Sequence, residues 1–131
     1  MAGVLIDTSV IVDHLRSRRR KPTHLQRLLR QYRDGGCYIS AITVFEVEYG
    51  SARAGRESDL APILPSVRII PFGRAEAEAA ARLQAQLISE NAQIGYRDLF
   101  LAGTCLAHGL PIATKNWEHF ERVSGLKVIK A

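Results

Sequence analysis

The sequence predicts an α/β fold, a three-layer α/β/α domain built on a mostly parallel central sheet. Two observations carry this. Short apolar runs, at Val4-Leu5-Ile6, Cys37 to Ser40, Val67 to Pro71 and Leu110 to Thr114, alternate with longer segments of helical periodicity, the order in which strands and crossover helices follow one another in parallel sheets. The first run is also continuously hydrophobic rather than alternating, as a strand covered on both faces requires. At 131 residues the chain fits a single domain, residues 1–131, with no repeat, linker or low-complexity tract.

The first strand ends in Asp7, and Thr8-Ser9 open a helix that runs to about residue 17. Arg16, Arg18, Arg19, Arg20 and Lys21 follow, before Pro22. This basic run fits a solvated helix end favoured by the macrodipole as well as it fits a nucleic-acid patch. Pro22 can begin the next helix, in which Leu25, Leu28, Leu29 and Tyr32 form an apolar stripe that Gly35-Gly36 ends. Cys37 to Ser40 reads as the second strand and Ala41 to Arg53 as a helix with Ile42, Phe45 and Tyr49 on one side. Glu46 lies at the margin of that stripe near the helix start, whereas Glu48 points elsewhere.

The stretch 55–66, with Pro62 and Pro65, is expected to hold a short helix before the third strand at Val67 to Pro71. Alanine-rich Arg74 to Asn91, with Ala80, Leu83 and Leu87 in register, predicts a long helix packed close to its neighbours. Gly95 introduces a helix that Gly109 closes after His108. Asp98 stands in its first turn on the same face as Leu101, Ala102 and Cys105, so its carboxylate is expected to face inward. Thr114-Lys115-Asn116 then repeats the strand-then-polar pattern of Ile6-Asp7-Thr8, and Val128-Ile129 is expected to add an edge strand.

Composition narrows the classes. The net charge of +5 suits a polyanionic partner without requiring one. Cys37 and Cys105 lie in apolar contexts without zinc-type spacing and read as small buried hydrophobes. No apolar run reaches the ~20 residues of a membrane span, and Asp7 interrupts the early apolar stretch that a signal peptide would need. No membrane contact is expected, and the cytoplasm is the expected compartment.

Asp7 and Asn116 follow strands, while Glu46 and Asp98 begin helices, so a parallel sheet can gather all four along one edge. Taken singly, Asp7 or Thr8 can also be read as a helix N-cap and Asp98 as a dipole-favoured acid. Gathered, three carboxylates repel one another unless a cation neutralises them, and an all-oxygen set selects Mg²⁺ or Mn²⁺. Such sites activate water and stabilise charge on a phosphodiester under attack. Other enzymes with an acid after their first strand fit less well. An aspartyl phosphatase of the haloacid-dehalogenase kind wants a second Asp where Ser9 stands, and a receiver-like domain wants an acidic pair earlier.

These residues also carry a family resemblance. LIDTSVIVDHL (5–15), SAITVFE (40–46) with Gly50, IGYRDLFLAGTCLAHGLPIATKN (94–116) and HFERVSGLKVI (119–129) occur in order, and together resemble a PIN-domain ribonuclease of the VapC toxin type over nearly the whole chain. The resemblance implies a magnesium-dependent endoribonuclease, a homodimeric toxin neutralised by a co-transcribed VapB-type antitoxin, with operator DNA bound through that antitoxin. Residue by residue it assigns Asp7, Glu46 and Asp98 as the metal-binding and catalytic acids. It places Ser9 beside the first acid and Thr114 near the fourth motif. Asn116 departs from the fullest pattern, where many PIN domains carry Asp; its side chain offers an oxygen without the charge.

On this reading Asp7 and Asp98 hold Mg²⁺, Glu46 binds directly or through water, and Asn116 orients the outer side of the shell. Arg18, Arg19, Arg20 and Lys21 are candidates for gripping RNA. The alternative is a catalytically silent PIN-like module that binds RNA or protein. Asp13 and His14 are expected on the surface, and His108 in a last helical turn. Trp117, His119 and Phe120 suit either stacking on RNA or closing the core.

Overall fold

Strand β1 (Val4–Ile6) is wholly buried, and a chain this apolar on both strand faces is stable only between two helical layers. The computed structural model of the chain describes residues 3–17 and 21–131 and places β1 at the centre of a five-stranded sheet. The strand order is β3-β2-β1-β4-β5, with β2 at Cys37–Ser40, β3 at Arg68–Ile70, β4 at Ile112–Thr114 and β5 at Val128–Lys130. Every pairing is parallel. The expected edge strand is therefore present, beside β4.

Pleating sends Leu5 to one face and Val4 and Ile6 to the other. Leu5 joins Leu83, Leu87, Leu101 and Ile112 beneath helices α4 (Arg74–Ser89) and α5 (Tyr96–His108). Val4 and Ile6 join Val10, Leu25, Ile39 and Leu60 beneath α1 (Thr8–Arg16) and α2 (His24–Gln31). Helix α3 (Ala41–Arg53) follows β2 directly, with the Ser40 side chain accepting the Ile42 N–H at 3.0 Å as its cap. The one-turn helix α6 (Trp117–Phe120) links β4 to β5.

Helices α4 and α5 approach unusually closely. A Cβ on Gly103 would lie 2.7 Å from the Ala80 Cα and 2.8 Å from its backbone nitrogen, so only glycine fits there. Gly109 ends α5 in the left-handed region at φ +65°. Helix α2 starts at His24 rather than at Pro22, because Thr23 forms a reciprocal capping box with Gln26.

Two expectations fail. Phe45 and Tyr49 do not face the core: they are 68% and 55% exposed, and their rings stack on each other at 5.9 Å. Helix α3 instead buries Thr43, Val47 and Ser51, since it packs against α1, where Thr8 needs a hydroxyl partner. The stretch 55–66 forms turns and then the expected short helix, a single 3-10 turn at Leu64–Ser66 with Pro65 in its first positions, where a missing N–H is tolerated. Asp13 and His14 are half-buried rather than at the open surface. Asp13 accepts from Lys115 Nζ at 3.1 Å, and His14 Nδ1 lies 2.7 Å from Thr23 Oγ1. Arg18, Arg19 and Arg20 fall outside the described residues; Lys21 is exposed. No described helix is long and apolar enough to cross a membrane.

Candidate active site

The parallel register puts the C-terminal ends of β1, β2 and β4 side by side, with Ile6 opposite Ala113 and Leu5 opposite Tyr38. Asp7 follows Ile6 at that edge and is fully buried. One of its oxygens, Oδ2, accepts from Ser9 Oγ at 2.7 Å and from Thr114 Oγ1 at 2.8 Å. Both hydroxyls are held in turn by backbone N–H groups, Ser9 by that of Lys115 at 3.1 Å and Thr114 by that of Asn116 at 2.9 Å. The carboxylate is thus fixed in orientation and its Oδ1 is left facing the other acids.

Glu46 reaches the same place from α3. Thr8 Oγ1 lies 2.6 Å from Glu46 Oε1 and 2.9 Å from Thr43 Oγ1. With a single proton, Thr8 donates to the carboxylate and takes a hydrogen bond from Thr43. Asp98, in the first turn of α5 and only 6% exposed, completes the group. Its Oδ2 accepts from His119 Nδ1 at 2.8 Å, so that ring nitrogen carries the proton. The inward orientation expected of Asp98 is what the structure shows.

Arg97 stands in the middle. Its Nε donates to Glu46 Oε2, its Nη1 to Asp98 Oδ1 at 2.6 Å and its Nη2 to Asp7 Oδ1 at 3.2 Å. Burial opposes the charge of this guanidinium, but the nearby Asp7, Glu46 and Asp98 outweigh it and hold its pKa above the ordinary arginine value. One guanidinium against three carboxylates leaves the cluster negative overall.

Arg97 and Asn116 also line an open cavity of about 400 Å³ with Thr8, Ser9, Asp13, Arg16 and Lys115. Asn116 is exposed at its rim, and the hydrogen bond that ties it to the site is its backbone N–H to Thr114.

Of the residues singled out in the sequence, Asp7, Glu46, Asp98, Ser9 and Thr114 come together, while Asn116 stays at the margin. Arg97 and His119 join them. Arg97 was legible only as the neighbour of Asp98, and a side chain adjacent to an inward acid on a helix gives no signal that it curls back to the same place. Phe120 closes the core, fully buried, whereas the exposed His119 does not. Trp117 is half-buried beneath Lys130, whose Nζ lies 3.9 Å from the ring centroid.

The donor set consists of carboxylate oxygens, as hard divalent ions require. As the side chains stand, no three His, Cys, Asp or Glu groups among the described residues are drawn close enough to hold an ion; the guanidinium sits between the carboxylates. That one cation already gathers three carboxylates shows that the pocket suits positive charge, and carboxylate oxygens are the kind of donor a hard divalent ion takes. The cysteines take no part. Burial pushes the Cys37 thiol up to about 11 and the Cys105 thiol further still, so both stay protonated and poorly suited to metal or redox work.

The fold agrees with that of known proteins. The PIN domain family model matches residues 4–126. VapC ribonuclease Y4jK of Sinorhizobium fredii is 34% identical over 102 residues, covering 70% of this chain and 72% of that one. Ribonuclease VapC1 of Rickettsia felis is 29% identical over 136 residues, covering 97% and 95% respectively. The VapBC structure bound to DNA from Salmonella typhimurium superposes with a TM-score of 0.86 at 22% identity, over 99% of this chain and 98% of that one. The chain belongs to the PIN domain family and, within it, groups with the VapC ribonucleases.

Proposed function

We propose that the chain is the toxin of a toxin-antitoxin pair, an endoribonuclease that hydrolyses RNA phosphodiesters at the Asp7, Glu46 and Asp98 cluster with a hard divalent cation, Mg²⁺ with Mn²⁺ as substitute. The observation that carries this reading is the convergence of three carboxylates, from the end of β1, from α3 and from α5, on one cationic group beside an open cavity. Asp7 and Asp98 would hold the ion, and Glu46 would reach it directly or through a water. Bound there, the ion supplies the Lewis acidity that lowers the pKa of water and neutralises phosphate charge.

The protein's own residues set up the rest. Ser9 and Thr114 lock Asp7 so that Oδ1 points to the pocket, Thr8 does the same for Glu46, and His119 steadies Asp98. Such fixed orientation is what lets charged groups act without reorganising during reaction. Arg16 and Lys115 line the adjoining cavity and supply positive charge for a phosphate backbone, with Asn116 offering an amide at its rim. Arg18, Arg19, Arg20 and Lys21 are candidates for further phosphate contacts through their charge.

A VapB-type antitoxin is the expected protein partner, in line with the VapBC pairing of the Salmonella relative. Operator DNA reaches this chain only through that antitoxin, and the toxin itself pairs as a homodimer. The cytoplasm is the compartment in which such an activity meets its RNA.

The test is cleavage of structured RNA by the purified chain in Mg²⁺, in Mn²⁺ and in chelator, alongside Asp7→Asn and Asp98→Asn. Metal-dependent cutting lost in both variants is the expected result. A chain silent on varied RNAs but still able to bind them would overturn the nuclease and leave a silent binding module.

A further inference from the structure

Arg97 is the residue whose role neither the family resemblance nor the fold explains. A guanidinium that merely stabilises a fold pairs with one or two carboxylates, commonly at the surface. Arg97 spends three separate nitrogens on three carboxylates from three elements. The oxygens it engages, Asp7 Oδ1, Glu46 Oε2 and Asp98 Oδ1, are the ones left over after Ser9, Thr114, Thr8 and His119 have occupied the others. A divalent ion held by Asp7 and Asp98 would need at least two of the same three.

We propose that Arg97 is a built-in counter-cation: it holds the three carboxylates together in the metal-free protein and must be displaced when the ion enters, so that competition with this arginine sets the metal affinity. The inference rests on the divalent-ion reading above.

Three features support exchange over permanent residence. A divalent ion on Asp7 Oδ1 and Asp98 Oδ1 would stand on oxygens that Arg97 already engages, and two cations set that close repel each other. Without any cation the three carboxylates would repel, so the metal-free protein needs a substitute. Arg97 also has somewhere to go. Its side chain is 35% exposed and forms part of the wall of the open cavity of about 400 Å³ that Thr8, Ser9, Arg16 and Lys115 also line. Moving outward into this cavity keeps its charge near the pocket, facing the space where RNA phosphates would lie.

The experiment measures Mn²⁺ binding by calorimetry to the wild-type chain, Arg97→Gln, Arg97→Lys and Asp98→Asn. It is read beside the Arg97 Nε–H nuclear resonance of the wild-type chain as Mg²⁺ is added. Arg97→Gln is expected to bind Mn²⁺ about tenfold more tightly or better, the worth of one charged hydrogen bond removed from the competitor. Arg97→Lys should fall between, as a point charge without the fork. The wild-type resonance should move from a bonded to a solvated position as the ion saturates.

Unchanged or weaker binding in Arg97→Gln, or a resonance that does not move at saturating Mg²⁺, overturns the exchange while leaving the metal reading standing. Absence of binding in the wild-type chain and in both Arg97 variants overturns both. If Arg97→Gln does not fold without metal, the wild-type resonance and Arg97→Lys decide the matter alone.

Discussion

Thr114 Oγ1 lies 2.8 Å from Asp7 Oδ2, one hydroxyl joining the ends of the two neighbouring strands β4 and β1 and fixing the direction in which the buried acid faces. Thr114 is itself completely buried and accepts the Asn116 N–H, so its hydroxyl is used as donor and as acceptor at once.

Replacing it with the near-isosteric Val leaves the Asn116 N–H without its acceptor and Asp7 Oδ2 with Ser9 alone. Thr114→Val is expected to lower stability by about 1–3 kcal/mol and RNA cleavage by roughly tenfold or more, since the acid proposed to hold the ion has lost one of the bonds that orient it. Thr114→Ser should recover most of both. The readouts are the urea midpoint and the single-turnover rate. A Val variant with wild-type cleavage would show that Ser9 alone positions Asp7.

Gly103 tests the packing of α4 on α5. An added methyl meets the Ala80 backbone at 2.7–2.8 Å, and backbone yields less cheaply than a side chain. Gly103→Ala is expected to cost about 1–3 kcal/mol as overpacking. The effect should appear as a lower urea midpoint at unchanged slope.

Glu76 links stability to pH. Its Oε2 lies 2.6 Å from His108 Nε2, and its Oε1 accepts the Gly73 N–H at 2.8 Å. These hydrogen bonds, the one from His108 first, hold its carboxyl below the ordinary value of 4.5. A carboxylate with a folded-state pKa depressed in this way contributes stability that is fully present above about pH 4.5 and fades as pH falls through its folded value. Urea midpoints of wild type and Glu76→Gln should therefore differ at neutral pH and converge in acid. Parallel curves across that range would assign the pair no role.

The basic run is tested by salt. Replacing Arg18, Arg19 and Arg20 with Gln is expected to weaken RNA binding and to flatten its dependence on salt by roughly 0.7 for each phosphate no longer neutralised, as for single strands. An equal slope would mean that these side chains are only a solvated helix end.

The sheet and its acids were legible because their signals are local. An apolar run ending in Asp7, or Asp98 one turn ahead of Leu101 and Ala102, states its own orientation. Helix α3 misled because periodicity identifies a stripe without saying which side meets the core. Phe45 and Tyr49 share a stripe that faces solvent, while hydroxyl-bearing Thr43 and Ser51 take the interior through bonds to Thr8 and to the Val47 carbonyl. Arg97, and the bond of His119 to Asp98, were missed for a related reason. Long or ring-bearing side chains reach partners set by the tertiary fold, and nothing near them in sequence names Glu46 or Asp7.

The order of strands in the sheet has a consequence for how the protein is made. Strand β1 is synthesised first but lies at the centre, and one of its two neighbours is β4. Asp7 therefore waits 107 residues for the hydroxyl of Thr114. A nascent chain on the ribosome has the first acid from the outset and yet cannot fix it in place until translation has passed β4. The strand order thus ties the setting of this buried acid to a nearly finished chain.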